Sequence, residues 1–463
     1  MRGDPYLARE RKRRPRQHHG GPPQGGLALT YPGNKTVTYT YDALNRLETV
    51  SIGWLSGQQV ATYIYDDAGR MEEFTNFNGI STAYGYDDAN RLLSIDSPVA
   101  SYGFVLDGNG NRTDETSDEP LPQTYSADVT PYGYNARGNR LVSAGNTGFG
   151  YDNEGQLANG YGGGYTFDAL HRLIAMPGAT FAYDGANNRL QAVRNGVTTR
   201  YLYDAAGNLL AETDGSNNIT RYYVYGAGLL AMVTPAGEVY CYHFNATGGT
   251  VAVTDEAQSI VNKYSYDPFG NVGTQVEAIA QPFKYVGQFG VMAEPNGFYY
   301  MRARYYDPKV GRFISEDPLG FGGGDVNLMG YVGNNPVNFV DPTGLCTEKD
   351  GVYYDKDGNI IGEKGLETPL VDPVDVLLIG GTVTVKVAKG AFTEVLSSPK
   401  VQGKIFRIDV DGLWKTSGEW VSGKHFHFDP TGTGRLMKHH LPDQLNSWWG
   451  HLKSVVKELW RRK

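Results

Sequence analysis

Tyr41-Asp42-Ala43-Leu44-Asn45-Arg46-Leu47 decides the fold, because the chain repeats it. It returns as Tyr65-Asp66-Asp67-Ala68-Gly69-Arg70-Met71 and Tyr86-Asp87-Asp88-Ala89-Asn90-Arg91-Leu92. Further on come Tyr151-Asp152-Asn153-Glu154-Gly155-Gln156-Leu157, Phe167-Asp168-Ala169-Leu170-His171-Arg172-Leu173 and Tyr203-Asp204-Ala205-Ala206-Gly207-Asn208-Leu209. The last clear copy is Tyr266-Asp267-Pro268-Phe269-Gly270-Asn271-Val272. Before each unit runs an alternating stretch such as Thr36-Val37-Thr38-Tyr39-Thr40-Tyr41, which predicts a strand. The Asp then bonds its own backbone, and the Gly or Asn a few residues on takes the left-handed position of a turn. Arg-Leu opens the return strand. Each unit is therefore a hairpin, and a lone hairpin must stack on neighbours to bury its apolar face. The Arg after the turn is placed to pair with the Asp or to lie over a neighbouring Tyr ring.

Composition agrees. The 463 residues include 61 Gly and 33 Tyr, which suit tight turns and pleated surfaces. A net charge of −8 argues against a chain built throughout to coat nucleic acid. The two cysteines, Cys241 and Cys346, are too few for a disulfide scaffold and lack metal-ligand spacing. Residues 1–27 hold a basic run from Arg9 to His19 with no apolar segment behind it, which predicts a disordered leader rather than a secretory signal.

A different pair of motifs closes the array. Gly311-Arg312-Phe313-Ile314-Ser315-Glu316-Asp317-Pro318-Leu319-Gly320 is answered by Asp341-Pro342-Thr343-Gly344-Leu345. Asp-Pro favours turn initiation, and that alone would account for both copies. Two aspartates at a change of composition also meet the needs of a self-cleaving dyad, since carboxylates sharing one proton can supply acid and base to a water.

The repeats resemble the RHS/YD-repeat family over about two thirds of the chain. The segments from Gly297 to Phe313 and from Asn327 to Leu345 resemble the RHS-associated core that ends such arrays. The resemblance implies hairpins spiralling into a hollow β-shell around a C-terminal toxin, with the core as an autoprotease. It implies Asp317 and Asp341 as catalytic carboxylates, Arg312 assisting by charge, and a cut between Leu345 and Cys346 without a cofactor. It further implies delivery to a target cell by a secretion apparatus or adaptor, and a cognate immunity protein. The array is shorter than a complete shell of that family, which implies a fragment.

The expected domains are a leader (1–27), a repeat shell (28–296), the core (297–345) and a small α+β toxin domain (346–463). The apolar stretch from Leu370 to about Leu396 predicts a core helix, too short and too charged for stable membrane insertion. An amphipathic helix is expected from about Gln444 to Trp460. Between them stands Gly423-Lys424-His425-Phe426-His427-Phe428-Asp429, where strand alternation puts His425, His427 and Asp429 on one face. Five of the nine histidines lie in this region: His425, His427, His439, His440 and His451. From Val401 onward the chain carries eleven Lys or Arg against six Asp or Glu.

That charge and the residues Lys424, His425, His427, Arg435, Lys438 and His439 or His440 match what phosphodiester cleavage requires: a base, an acid and a cation. His425 and His427 are also candidate ligands for a divalent metal. The sequence thus predicts a His-dependent nuclease acting on RNA or DNA. Rival readings are an ADP-ribosyltransferase in the same shell, or a non-enzymatic surface protein binding carbohydrate through its Tyr-rich faces. The lack of His-Glu-x-x-His and Cys-x-x-Cys weighs against protease and deaminase cargo.

Overall fold

The computed structural model describes residues 27–345 apart from 58, 124–128, 137–139 and 324, and after them short strand segments between 347 and 440. The basic leader up to residue 26 and the closing helix expected near the C-terminus lie outside the described residues. The described chain is antiparallel β-structure with three short 3-10 turns. It divides into two compact units, one ending at Lys364 and one beginning at Gly365.

In the first unit the strands pair in sequence order. Nine of them, from Leu27–Tyr31 to Arg112–Asp118, form one meander, and twelve, from Thr166–Phe167 to Val272–Glu277, form another. Two three-stranded pieces lie between them in sequence, and a four-stranded sheet from Met292–Ala293 to Arg312–Phe313 follows.

The repeat unit explains this order. Asp42 Oδ1 accepts the backbone N–H groups of Leu44 and Arg46, both at 2.9 Å, while Oδ2 accepts Arg46 Nε at 2.7 Å. Asn45 takes φ 64°, the left-handed position. The Arg46 guanidinium then lies 4.5 Å from the ring centre of Tyr65 in the next unit, and the Tyr65 hydroxyl donates to the Leu47 carbonyl at 2.8 Å. The same stitch joins Arg70 to Tyr86 and Arg172 to Tyr183. The arginine thus does both things expected of it. The structure adds turns that the Tyr-Asp pattern did not mark: Asn76, Asp214, Asn245 and Asp255 close the same kind of loop, with Gly79, Asn217, Gly248 and Gln258 left-handed.

The two large meanders pack face to face. Tyr31, Val37, Val50 and Ala61 of the first share an apolar layer with Val224, Ala231 and Cys241 of the second. The Tyr31 hydroxyl donates to the Tyr223 carbonyl at 2.9 Å, and Asn78 Nδ2 donates to Thr254 Oγ1 at 2.8 Å. Where a hollow was expected, these side chains fill the space between the sheets. Cys241 is a buried free thiol whose pKa burial pushes up to about 12.

The second unit holds two hairpins, Thr382–Lys386 with Thr393–Ser397 and Leu413–Trp414 with Trp420–Val421. It also holds a three-stranded sheet in the order Ile405–Asp409, His425–Asp429, Met437–His440. The core helix expected up to Leu396 is corrected over 382–397. The run Thr382-Val383-Thr384-Val385 is β-branched at every position, which favours the pleated strand it adopts. Among the described residues the second unit is β-structure, and its expected α part falls outside them.

Candidate active site

The two Asp-Pro motifs fold as two copies of one turn. Asp317 Oδ1 accepts the Leu319 N–H at 2.8 Å, and Asp341 Oδ1 accepts the Leu345 N–H at 3.0 Å. Gly320 and Gly344 take the left-handed positions, φ 56° and 69°. The turn-forming role read from Asp-Pro is therefore real, and it occupies only one oxygen of each carboxylate. The other oxygens converge: Arg304 Nη2 lies 2.8 Å from Asp317 Oδ2 and 3.4 Å from Asp341 Oδ2.

Arg304 belongs to the strand Arg304–Asp307 and is almost wholly buried. Its Nη1 donates to the Leu328 carbonyl at 3.0 Å, its Nε donates to the Gly344 carbonyl, and its plane stacks 3.6 Å from the Phe313 ring centre. One rigid fork thus binds both carboxylates and the backbone two residues before the expected cut. Burial pushes the Asp317 carboxyl above the usual range, against the pull of the Arg304 guanidinium and the Leu319 N–H. A carboxyl so placed can hold a proton near neutral pH.

A small cleft lies here, lined by Arg304, Asp317, Gly323, Asp341 and Leu345 among others. A side-chain carbon on Gly323 would stand 2.5 Å from Asp317 Oδ2 and 3.1 Å from the Leu345 carbonyl oxygen. The acid and the carbonyl expected to be attacked therefore share the gap that this glycine leaves open. The segment from Thr343 to Leu345 is held against the strand turn, with the Ala303 N–H donating to the Thr343 carbonyl at 3.1 Å.

Arg312, the cation chosen from sequence, lies elsewhere. Its guanidinium sits 5.2 Å from the Tyr134 ring centre, and Nη2 is 3.4 Å from the Tyr134 hydroxyl. It pairs across the strand with Asp307 by backbone register. Arg304 was missed although it stands in the quoted core segment, because only the fold shows which of Arg302, Arg304 and Arg312 reaches both turns. Cys346 lies outside the described residues.

In the second unit, the register sets His425 opposite both Asp409 and His440, and His427 opposite both Arg407 and Lys438. His439 pairs instead with Phe426. Lys424, Arg435 and His451 lie outside the described residues.

A sequential antiparallel meander of Tyr-Asp hairpins closed by twin Asp-Pro turns defines a YD-repeat shell protein. The sequence model described as Teneurin YD-shell matches residues 27–323, and the chain belongs to that family. Among relatives, the tRNA3(Ser)-specific nuclease WapA of Bacillus spizizenii is 31% identical over 67% of this chain and 16% of its own length. The double-stranded DNA deaminase toxin A of Burkholderia cenocepacia is 27% identical over 87% of this chain and 30% of its own. The crystal structure of TcdB2-TccC3 aligns with a TM-score of 0.48 at 20% identity, covering 69% of this chain and 21% of that one. The chain thus spans less than a third of these proteins. Its shell is related to those of polymorphic toxins.

Proposed function

We propose that this chain is the shell and cargo of an RHS-type polymorphic toxin, and that its core cuts the bond after Leu345. The observation that carries the reading is the convergence of Asp317 and Asp341 on Arg304 beside the Leu345 carbonyl. In the reaction, Asp341 takes a proton from a water that adds to the Leu345 carbonyl carbon. Asp317 gives its proton to the carbonyl oxygen. Collapse of the adduct breaks the C–N bond and passes a proton to the Cys346 nitrogen, leaving a Leu345 carboxylate. Arg304 steadies the ionised carboxylate and holds the Gly344 carbonyl in line. This chemistry uses no cofactor.

The released residues 346–463 act as a His-dependent nuclease on RNA or DNA of a competitor cell. Relatives carrying related shells are named as a tRNA nuclease and a DNA deaminase toxin. The present cargo has the His cluster and local positive charge for the former chemistry and lacks the Cys-x-x-Cys of the latter. A secretion apparatus or adaptor to deliver the chain and an immunity protein to guard the producer complete the reading.

The test is the intact mass of the purified chain beside Asp341→Asn. A C-terminal fragment beginning at Cys346, present only in the unmutated sample, is the expected result. An uncut chain in both samples rules the autoprotease out.

A further inference from the structure

The three-stranded sheet of the second unit sorts the cargo's chemistry by face. Register partners lie on the same face of a sheet, as do residues two apart on one strand. Pairing of Ile405–Asp409, His425–Asp429 and Met437–His440 therefore makes two rows on one face. Asp409, His425 and His440 form the first row; Arg407, His427 and Lys438 form the second. The other face collects Phe406, Ile408, Phe426, Phe428, Met437 and His439. One face is apolar except for one histidine, and the other is made almost entirely of groups that move protons or bind anions. Cross-strand neighbours stand ~5 Å apart and adjacent rows on a face ~7 Å apart, the scale of one phosphodiester and its flanking oxygens.

We propose that this polar face is an RNA-cleaving site in which His425 and His440 are the acid–base pair. Asp409 is a positioning residue that fixes the tautomer of His425, and Arg407, His427 and Lys438 hold the phosphate. The proposal rests on the nuclease reading and sharpens it in three ways. It adds Asp409 and Arg407, it separates His440 from His439, and it names the substrate. The substrate follows from the groups. Two histidines and a carboxylate transfer protons well but bring no strong nucleophile. RNA supplies its own nucleophile in the 2′-hydroxyl. One histidine removes the proton from O2′, O2′ bonds to phosphorus, and the P–O5′ bond breaks as the other histidine protonates O5′. The products are a 2′,3′-cyclic phosphate and a 5′-hydroxyl, with one proton gained and one lost by the pair.

The test uses the full chain and a DNA oligonucleotide containing a single ribonucleotide, with and without EDTA. Cleavage at the ribonucleotide with a cyclic phosphate end, unchanged by EDTA, is expected. His425→Ala and His440→Ala should each slow it by ~10²-fold or more, and His439→Leu by no more than about threefold. Thermal melts of each variant separate lost chemistry from lost folding. Native enzyme should give a bell-shaped pH–rate profile, and Asp409→Asn should shift one limb to lower pH, since it removes the carboxylate that favours imidazolium. Cleavage of neither RNA nor DNA overturns the nuclease reading and this assignment together. Cleavage that persists in folded His425→Ala or His440→Ala, that needs a metal, or that cuts all-DNA strands equally overturns the assignment alone.

Discussion

At the scale of single residues, the dyad was legible and its cation was not. Asp317 and Asp341 stand out because Asp-Pro recurs at a change of composition. Arg304 and Arg312 look alike in the sequence, and only strand pairing sends the first under both turns and the second toward Tyr134. Gly323 is a residue whose value is its missing side chain. In Gly323→Ala the new methyl would meet Asp317 Oδ2 and the Leu345 carbonyl oxygen, in the gap where water must enter. We expect self-cleavage to fall at least ~10²-fold with the melting temperature nearly unchanged, because a misplaced catalytic geometry costs rate before it costs folding. Cutting at the native rate in a mass time course would show that the gap is not the reaction site.

A second residue sets a pH dependence. Asp307 is buried, accepts the Tyr161 hydroxyl at 2.6 Å and the Lys309 N–H at 3.1 Å, and burial pushes its pKa up to about 6. Folding disfavours its charged form. Its contribution is thus fully present below the unfolded value of ~3.9 and is lost as pH rises through about 6. Asp307→Asn keeps both acceptors and cannot ionise. The variant should gain on the native chain between pH 5 and pH 8 by on the order of 2 kcal/mol, read from denaturant titrations at each pH. A constant difference across that range would mean Asp307 does not titrate there.

At the scale of elements, the hairpin was the most readable part, since every physical cue pointed one way. Alternation marked the strand, Asp closed the turn on its own backbone, and Gly or Asn took φ > 0. The missed turns at Asn76 and Asn245 lack the Tyr-Asp pair but keep the hydrogen bonding. The 382–397 hairpin was misread because an apolar run does not separate buried helix from strand, and here the β-branched residues decided it. What joins one hairpin to the next is the arginine. Arg172 binds Asp168 at 2.8 Å, donates to the Asp184 carbonyl at 2.9 Å and covers the Tyr183 ring at 5.0 Å. Arg172→Ala should cost ~1–2 kcal/mol in chemical denaturation, and Arg172→Lys should recover little of it, because an ammonium cannot make the forked contact. Full recovery by lysine would reduce the stitch to simple charge. The Asp168 carboxyl is held below the usual range: burial raises it, and the Arg172 hydrogen bond and the turn N–H groups outweigh that. Its stabilising share is present above the unfolded value of ~3.9 and disappears as pH falls through the lower folded value.

At the scale of the whole first unit, shell and core are tied through polar contacts that no repeat pattern announces. Arg189, fully buried on the shell strand Arg189–Arg194, pairs with Glu294, which is buried ahead of the four-stranded core sheet's second strand and also binds Arg194 at 2.7 Å. Their partners are a hundred residues apart in sequence, so neither could be read as paired before the chain folded. A second tie reaches the dyad itself. The Leu157 N–H donates to the Ile314 carbonyl at 2.8 Å, and Arg140 meets Glu316 at 3.2 Å, one residue before Asp317. The shell therefore grips the segment that carries the acid. If this grip sets the acid's position, Glu316→Arg should slow cutting several-fold, since two guanidinium groups would then face each other at a half-buried contact. Reversing the pair with Arg140→Glu in the same chain should bring the rate back to within about threefold of native. Such rescue is specific to the contact, because neither change touches Asp317, Asp341 or Arg304. A single variant that cuts at the native rate would mean that the core positions Asp317 without help from the shell.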